Sequence, residues 1–512
     1  MEYHYLLVLN HFYKSFFIMK TILTKDGKKG KHISVEGLQD MTNLRRIFAD
    51  TTDITQSKRD FDKLTSTDFV FEKLSNANNL FYDTDTLIIF DTPLKVATTA
   101  NNAFYNCSNL TSFTAEVPEL TSANSMLSNC SKLTEFSAEL PKLKSATYMF
   151  YYSGVKSLVL DCPELTSTSY MFYGCSGLTS LDAKFPKLTS TSYMFYGCRS
   201  LTDLKLELDA LTRGGDMFSG CSGLTNFDIP LPKLTDGYYM FNGCSNLENF
   251  TSDISKLTSG YYMFSGCTKL KQIPSALTAL QDGYHMFYNN RAITSWQKAL
   301  PALTGGGYMF YGCSNLENFQ TNLSTLRSSY YMFCGCPKLI SFMQDLPSLT
   351  SAYSMFDGCT ALPSFISNDM SKLSSAYGMF SGCSNLETFT SIKMNALSNA
   401  NYMFRGCSKL PYFKHLIGLP NLSTACQMFE NCSSLSSFIC PTPNLSTAYE
   451  MFKGCSKLNE LYNDDGSSNF NQVSSAYGMF SGCSSLTHFN LPMSNLRDAH
   501  DMFYNCSSLT SY

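Results

Sequence analysis

The chain has 512 residues, 38 basic against 41 acidic, for a net charge of −3; 15% of it is charged and 14% aromatic. That balance gives no electrostatic footprint for nucleic acid, which usually demands a clustered basic surface, and no run approaches the roughly 18 apolar residues of a membrane span. A surface this poor in charge is covered by Ser, Thr, Asn and Tyr, which suit hydrogen bonding and stacking better than long-range steering.

In chain order, the first 18 residues, MEYHYLLVLNHFYKSFFI, hold a short apolar run from Leu6 to Leu9 that Asn10, His11 and Lys14 interrupt. With no basic start and no small-residue cleavage site they establish no signal peptide, and Met19 reads as an alternative start. The basic stretch KDGKKGKH, Lys25 to His32, lies between TILT and ISV. It reads as a hairpin turn in an N-terminal cap, with a docking site for an acidic partner as the sharper alternative. Residues 1–47 are assigned to this extension and cap, 48–103 to degenerate first repeats and 104–512 to a regular array.

The array is the dominant signal. A Met-Phe pair opens a motif Met-Phe-x-Gly-Cys-Ser-x-Leu whose Phe falls at Phe150, Phe172, Phe195, Phe218, Phe241, Phe264 and onward to Phe480 and Phe503. Phe104 and Leu127 fill the same slot earlier, which makes about 18 units at a period of about 23 residues. The longest interval runs from Phe452 to Phe480 and carries the insert NDDGSSN. Counting from the Phe, an aliphatic stands six residues on (Leu178, Leu201, Leu224). A large apolar residue stands at nine (Leu181, Leu204, Phe227, Phe250), and others near thirteen and sixteen. No helical period persists, so long helices are excluded. The segment CSGLTSLDA reads as a short strand closed by Pro186. One unit alone buries too little to fold, so successive units must stack.

These residues resemble the BspA-like leucine-rich repeats, which recur as Ala-Phe-x-Gly-Cys-x-x-Leu-x-x-Ile with the same spacing. Here Met replaces Ala, as in MFYGCSGLTSL at Met171 to Leu181. The resemblance covers about Phe81 to Tyr512. It implies a leucine-rich-repeat solenoid, expected to be β-rich with one short parallel strand per coil and short helical turns or loops on the other side. It also implies a surface protein that adheres to host molecules, on bacteria or protists; related arrays are carried by viruses of gut bacteria. The reading is a non-enzymatic adhesin-like or host-recognition protein of a cell surface or virion. The alternative is a structural scaffold or assembly protein.

Of 20 cysteines, most occupy the slot three residues after the Phe, including Cys175, Cys198, Cys221, Cys244 and Cys267; Ser153 and Asn290 fill that slot in two units. The spacing is not that of zinc sites. Stacked slots would bring Cα atoms within disulfide range, but small, weakly polar Cys suits an inward position, and buried free thiols are expected. With Phe172, Phe195, Phe218, Phe241 and Phe264 they form the expected structural ladder.

Tyrosines form stripes. Two residues before the Phe lie Tyr170, Tyr193, Tyr239, Tyr262, Tyr308 and Tyr331. One reading stacks them coil on coil as structure. The functional reading makes them an amphipathic aromatic face for a protein or glycan ligand.

An enzyme is not expected. The seven His residues (His4, His11, His32, His285, His415, His488 and His500) sit at unlike repeat positions, and no Gly-x-Ser-x-Gly elbow or phosphate-binding glycine loop occurs. The pair Asp464 and Asp465 sits in the insert, where a solvated loop explains it. No cofactor, metal, nucleic acid or membrane span is expected. The last motif, MFYNCSSLTSY, stops at Tyr512 without a polar cap, so either another subunit or partner is expected to cover that end or the chain is a fragment.

Overall fold

A computed structural model of the chain describes residues 33–34, 69–71, 74–85, 87–391, 393–415, 418–461 and 470–511. The KDGKKGKH stretch, Met19, Phe48, the NDDGSSN insert with Asp464 and Asp465, and Tyr512 lie outside the described residues. The chain divides into two compact units, one ending at Ala210 and the other beginning at Leu211. Each is a leucine-rich-repeat solenoid built by one rule.

The rule is a coil whose backbone hydrogen bonds are shared with its neighbours. In the first unit, Ile89–Phe90, Ser112–Phe113 and Glu135–Phe136 pair in parallel, with Phe90, Phe113 and Phe136 in register. Longer strands follow at Ser157–Asp161, Ser180–Lys184 and Asp203–Glu207, aligned Leu158 to Leu181 to Leu204. In the second unit Asn226–Phe227 pairs with Asn249–Phe250, and Ser295–Trp296 with Asn318–Phe319. This is the expected short parallel strand per coil. A second parallel ladder of single bridges runs five residues before the Phe slot: Asn76, Thr99, Ser122, Ser145 and Ser167 in one unit, and Asp236, Ser259, Asp282, Gly305 and Ser328 in the other.

The Tyr-Met-Phe stretch forms turns, and no helix occurs among the described residues. In the coil around Phe241, alternate amides point forward. Gly237, Tyr239, Phe241 and Gly243 donate to Ser259, Tyr261, Met263 and Ser265 of the next coil at 2.8–3.0 Å. The intervening Met240, Asn242 and Cys244 donate within the coil to Gly237, Tyr239 and Phe241 at 3.0–3.1 Å. Every amide from Met240 to Cys244 therefore has a partner. The geometry needs a left-handed residue every fourth position: Tyr239 has φ 50° and Gly243 has φ 71°. Such alternation forbids a helix, which is why turns form here instead of helical ones.

The repeat's apolar positions close the core. Met240, Phe241, Cys244, Leu247 and Leu257 are fully buried, with Phe250 and Ile254 nearly so. Leu204 is half-buried and leaves the inner role in its strand to Leu206. The coil from Phe150 is one residue short: Val155 and Leu158 take up the inward places, and Gly154 donates to the Cys130 carbonyl at 3.0 Å. A Cβ on Gly154 would run into the backbone carbonyl of Ser131, so only glycine lets the shortened coil lie flat on its neighbour.

Candidate binding surfaces

The ladder residues named from sequence are buried together. Phe172 and Phe195 stack at 5.3 Å between ring centres, Phe218 and Phe241 at 5.3 Å, and Phe241 and Phe264 at 5.5 Å. The slot cysteines lie beside them. Cys175 donates its thiol to the Phe150 carbonyl at 2.9 Å, Cys244 to Phe218 at 3.1 Å and Cys267 to Phe241 at 3.2 Å. The same Phe241 carbonyl accepts the Cys244 amide, so each thiol occupies the second lone pair of a turn carbonyl one coil back. That role suits a small weak donor and needs no disulfide. Burial pushes the Cys175 and Cys244 thiols up to about 12 from 9.0, far from the depressed values of reactive cysteines.

The two fillers behave differently. Ser153 keeps a partner, its hydroxyl lying 3.6 Å from the Cys175 sulfur. Asn290 is fully buried, and neither its amide nitrogen nor its oxygen has a partner.

The tyrosines named as binding candidates are all half-buried and all left-handed: Tyr170 (φ 60°), Tyr193 (56°), Tyr239 (50°), Tyr262 (53°), Tyr308 (56°) and Tyr331 (53°). A left-handed turn costs a Cβ-bearing residue roughly 1–2 kcal/mol, and ring stacking offsets it. In the first unit Tyr148, Tyr170 and Tyr193 stack at 4.7 and 4.9 Å. In the second, Tyr239 and Tyr262 stack at 4.5 Å, and His285 inserts between Tyr262 (4.1 Å) and Tyr308 (4.5 Å). Tyr331 follows Tyr308 at 4.9 Å.

Where the slot turns small, at Ser354 and Gly378, rings from the preceding position take over. Tyr353 meets Tyr331 at 5.1 Å, Tyr377 meets Tyr353 at 4.5 Å, and Tyr402 meets Tyr377 at 5.0 Å. The Arg405 guanidinium caps Tyr402 at 5.8 Å. The column from Tyr239 to Tyr402 is thus unbroken, with one edge buried on the turns and the other toward solvent. His285 and the handover to Tyr353 and Tyr377 are what the stripe pattern did not reveal. The signal was the loss of Tyr at 354 and 378 beside its gain one place earlier. Burial in the column raises the Tyr239 hydroxyl to about 12, and burial likewise raises Tyr262 and Tyr308. The same burial lowers His285 to about 4 from its ordinary 6.5.

Among the described residues, no group of three His, Cys, Asp or Glu side chains is placed to hold a metal ion. Nor is any helix there long and apolar enough to cross a membrane.

The BspA type leucine rich repeat region matches the sequence in six copies that together run from residue 61 to 510, among them 61–179, 165–294 and 377–510. No curated protein matches. Among solved structures, a leucine-rich repeat protein from Bacteroides ovatus is 18% identical over 86% of this chain and 87% of its own, with a TM-score of 0.37. One from Eubacterium ventriosum is 15% identical over 56% of this chain and 88% of its own, with a TM-score of 0.30. A leucine rich cell surface protein from Faecalibacterium prausnitzii is 16% identical over 76% of this chain and 82% of its own, with a TM-score of 0.23. The family is one of protein-binding repeats, and the match indicates no catalytic family. With its coil, its Phe-x-Gly-Cys turn and its parallel ladders accounted for, the chain belongs to the BspA-type leucine-rich-repeat family.

Proposed function

We propose that this protein is an adhesin-like recognition protein, displayed on a cell surface or a virion, that holds a protein or glycan ligand against its tyrosine columns. The observation that carries this reading is the continuity of the rings from Tyr239 to Tyr402. A column of stacked rings is rigid before any ligand arrives, so binding costs little side-chain entropy. Each phenol adds a flat apolar edge and a hydroxyl able to donate and accept. Tyr170 and Tyr193 offer the same surface in the first unit.

The experiment is binding of the purified full chain to intact gut bacteria and to immobilised mucin, with denatured chain as the control. Saturable binding that free mucin competes away is the expected result. Failure to bind any cell or glycan, together with stable incorporation into a particle, would replace this reading with that of a structural scaffold.

A further inference from the structure

The column in the second unit is not a run of identical rings. In the slot two residues before the Phe, consecutive coils carry Tyr239, Tyr262, His285, Tyr308 and Tyr331. His285 keeps the backbone of its neighbours, with φ 56° against 53° at Tyr262 and 56° at Tyr308. Its amide donates forward to the Gly307 carbonyl at 3.0 Å, as Tyr262 does to Tyr284 at 3.0 Å and Tyr308 to Tyr330 at 2.7 Å. Its ring lies 4.1 Å from that of Tyr262 and 4.5 Å from that of Tyr308, within 8° of parallel to both. Exchanging phenol for imidazole therefore changes the chemistry of the column's edge and leaves its geometry alone.

The two ring nitrogens of His285 face different surroundings. Nδ1 is shut from solvent and has no hydrogen-bond partner. Nε2 stays open to solvent on the half-buried ring, in contrast to His415, whose nitrogens are both enclosed. A neutral imidazole carries one proton on either nitrogen. A buried N–H without an acceptor is a rarer defect than a buried lone pair without a donor, and burial of a charge without a partner is costlier than either. The proton therefore sits on Nε2, where an outside acceptor can reach it. At this coil the column presents a donor alone, whereas each phenol can donate or accept.

That difference bears on how a ligand lies. Phenols repeated at every coil offer a repeating ligand several equivalent alignments, one coil apart. A single unlike residue in such a series fixes the alignment, as one polar residue fixes register in a coiled coil. We infer that His285 sets the register of the ligand on the column, its Nε2–H donating to an acceptor oxygen of the ligand. A ligand shifted by one coil loses that bond or must meet it with a donor. The inference rests on the reading of the column as the binding surface and adds to it the residue that selects among alignments.

The test has two parts, the first of which needs no ligand. The full chain carrying isotope-labelled histidine is studied by long-range proton–nitrogen correlation at neutral pH, and the signals lost in His285→Phe identify this ring among the seven histidines. The expected result is a proton on Nε2 and a bare Nδ1. Affinity for immobilised mucin is then compared between the parent, His285→Phe and the variant with Tyr239, Tyr262 and Tyr308 replaced. His285→Phe keeps a stacking ring and loses the donor, so its thermal midpoint stays within a few degrees of the parent while its affinity falls about fivefold, the worth of one neutral hydrogen bond. A loss seen on intact mucin alone places the acceptor on the glycan, and a loss that persists after deglycosylation places it on the polypeptide; either supports the assignment. A proton on Nδ1, or His285→Phe binding as tightly as the parent while the tyrosine variant is impaired, overturns it. A tyrosine variant that binds like the parent overturns the column reading itself, a result separable from the other two.

Discussion

Asn290 offers the sharpest test of how the cysteine slot works. It stands where Cys267 and Cys313 stand in the adjacent coils, is fully buried, and leaves both amide atoms without partners. Each unsatisfied buried polar atom costs about 1–3 kcal/mol. Asn290→Cys removes both and supplies a thiol in the place from which Cys267 reaches Phe241 and Cys313 reaches Phe287, each at 3.2 Å. Summing the lower halves of those ranges, about 1–2 kcal/mol for each of the two atoms, the exchange stabilises the second unit by about 2–4 kcal/mol, with little change in side-chain volume. The reverse exchange, Cys267→Asn, destabilises by a similar amount. Urea unfolding followed by tyrosine fluorescence reads both, at a fixed reductant concentration. A lower midpoint for Asn290→Cys, or an unchanged one for Cys267→Asn, would refute the reasoning that this slot selects a small weak donor.

Three further outcomes follow from other parts of the coil. Denatured, unreduced protein should present all 20 cysteines to alkylating reagent, whereas fewer than about ten reactive thiols would establish a bridged ladder; in the native chain the half-buried Cys334, Cys426 and Cys506 react first. His285, lowered to about 4 from 6.5, binds its proton later in the folded chain than in the unfolded one. Its contribution is therefore whole above pH 6.5, drains as pH falls toward about 4, and then levels off. Because the ring is only half-buried, solvent screening limits the loss to about 1–2 kcal/mol; thermal midpoints against pH should show His285→Tyr, which continues the stack, without this loss. Gly154→Ala, which forces a Cβ onto the Ser131 carbonyl, should destabilise the first unit by about 3 kcal/mol, and a neutral effect would mean the shortened coil has slack.

Much of this is legible in the sequence. The period set the register, and the apolar positions at the Phe and at six, nine, thirteen and sixteen residues beyond it are the core because hydropathy alone selects them. The second ladder was not legible. Its positions, such as Asn76, Thr99, Ser122 and Gly305, share small size and no hydropathy, and backbone pairing leaves no side-chain signature there. The left-handed tyrosines were hidden for the opposite reason. Local propensity argues against φ 50–60° at Tyr239 or Tyr170, and only stacking on the next coil outweighs it. The slots at Asn79 (φ 56°) and Asn102 (φ 54°) were the available clue, since Asn tolerates that conformation.

The most direct test of the account is to replace Tyr239, Tyr262 and Tyr308 together by Asn, the residue that this chain itself uses at the equivalent left-handed positions Asn79 and Asn102. The exchange removes the stacks among these rings, each worth about 0.5–1.5 kcal/mol, and relieves backbone strain of comparable size at three positions. The account predicts a thermal midpoint within a few degrees of the parent and loss of most binding to cells and mucin. Full binding by a folded variant would contradict it, and so would collapse of the fold with no separable effect on binding, which would make the column structure alone.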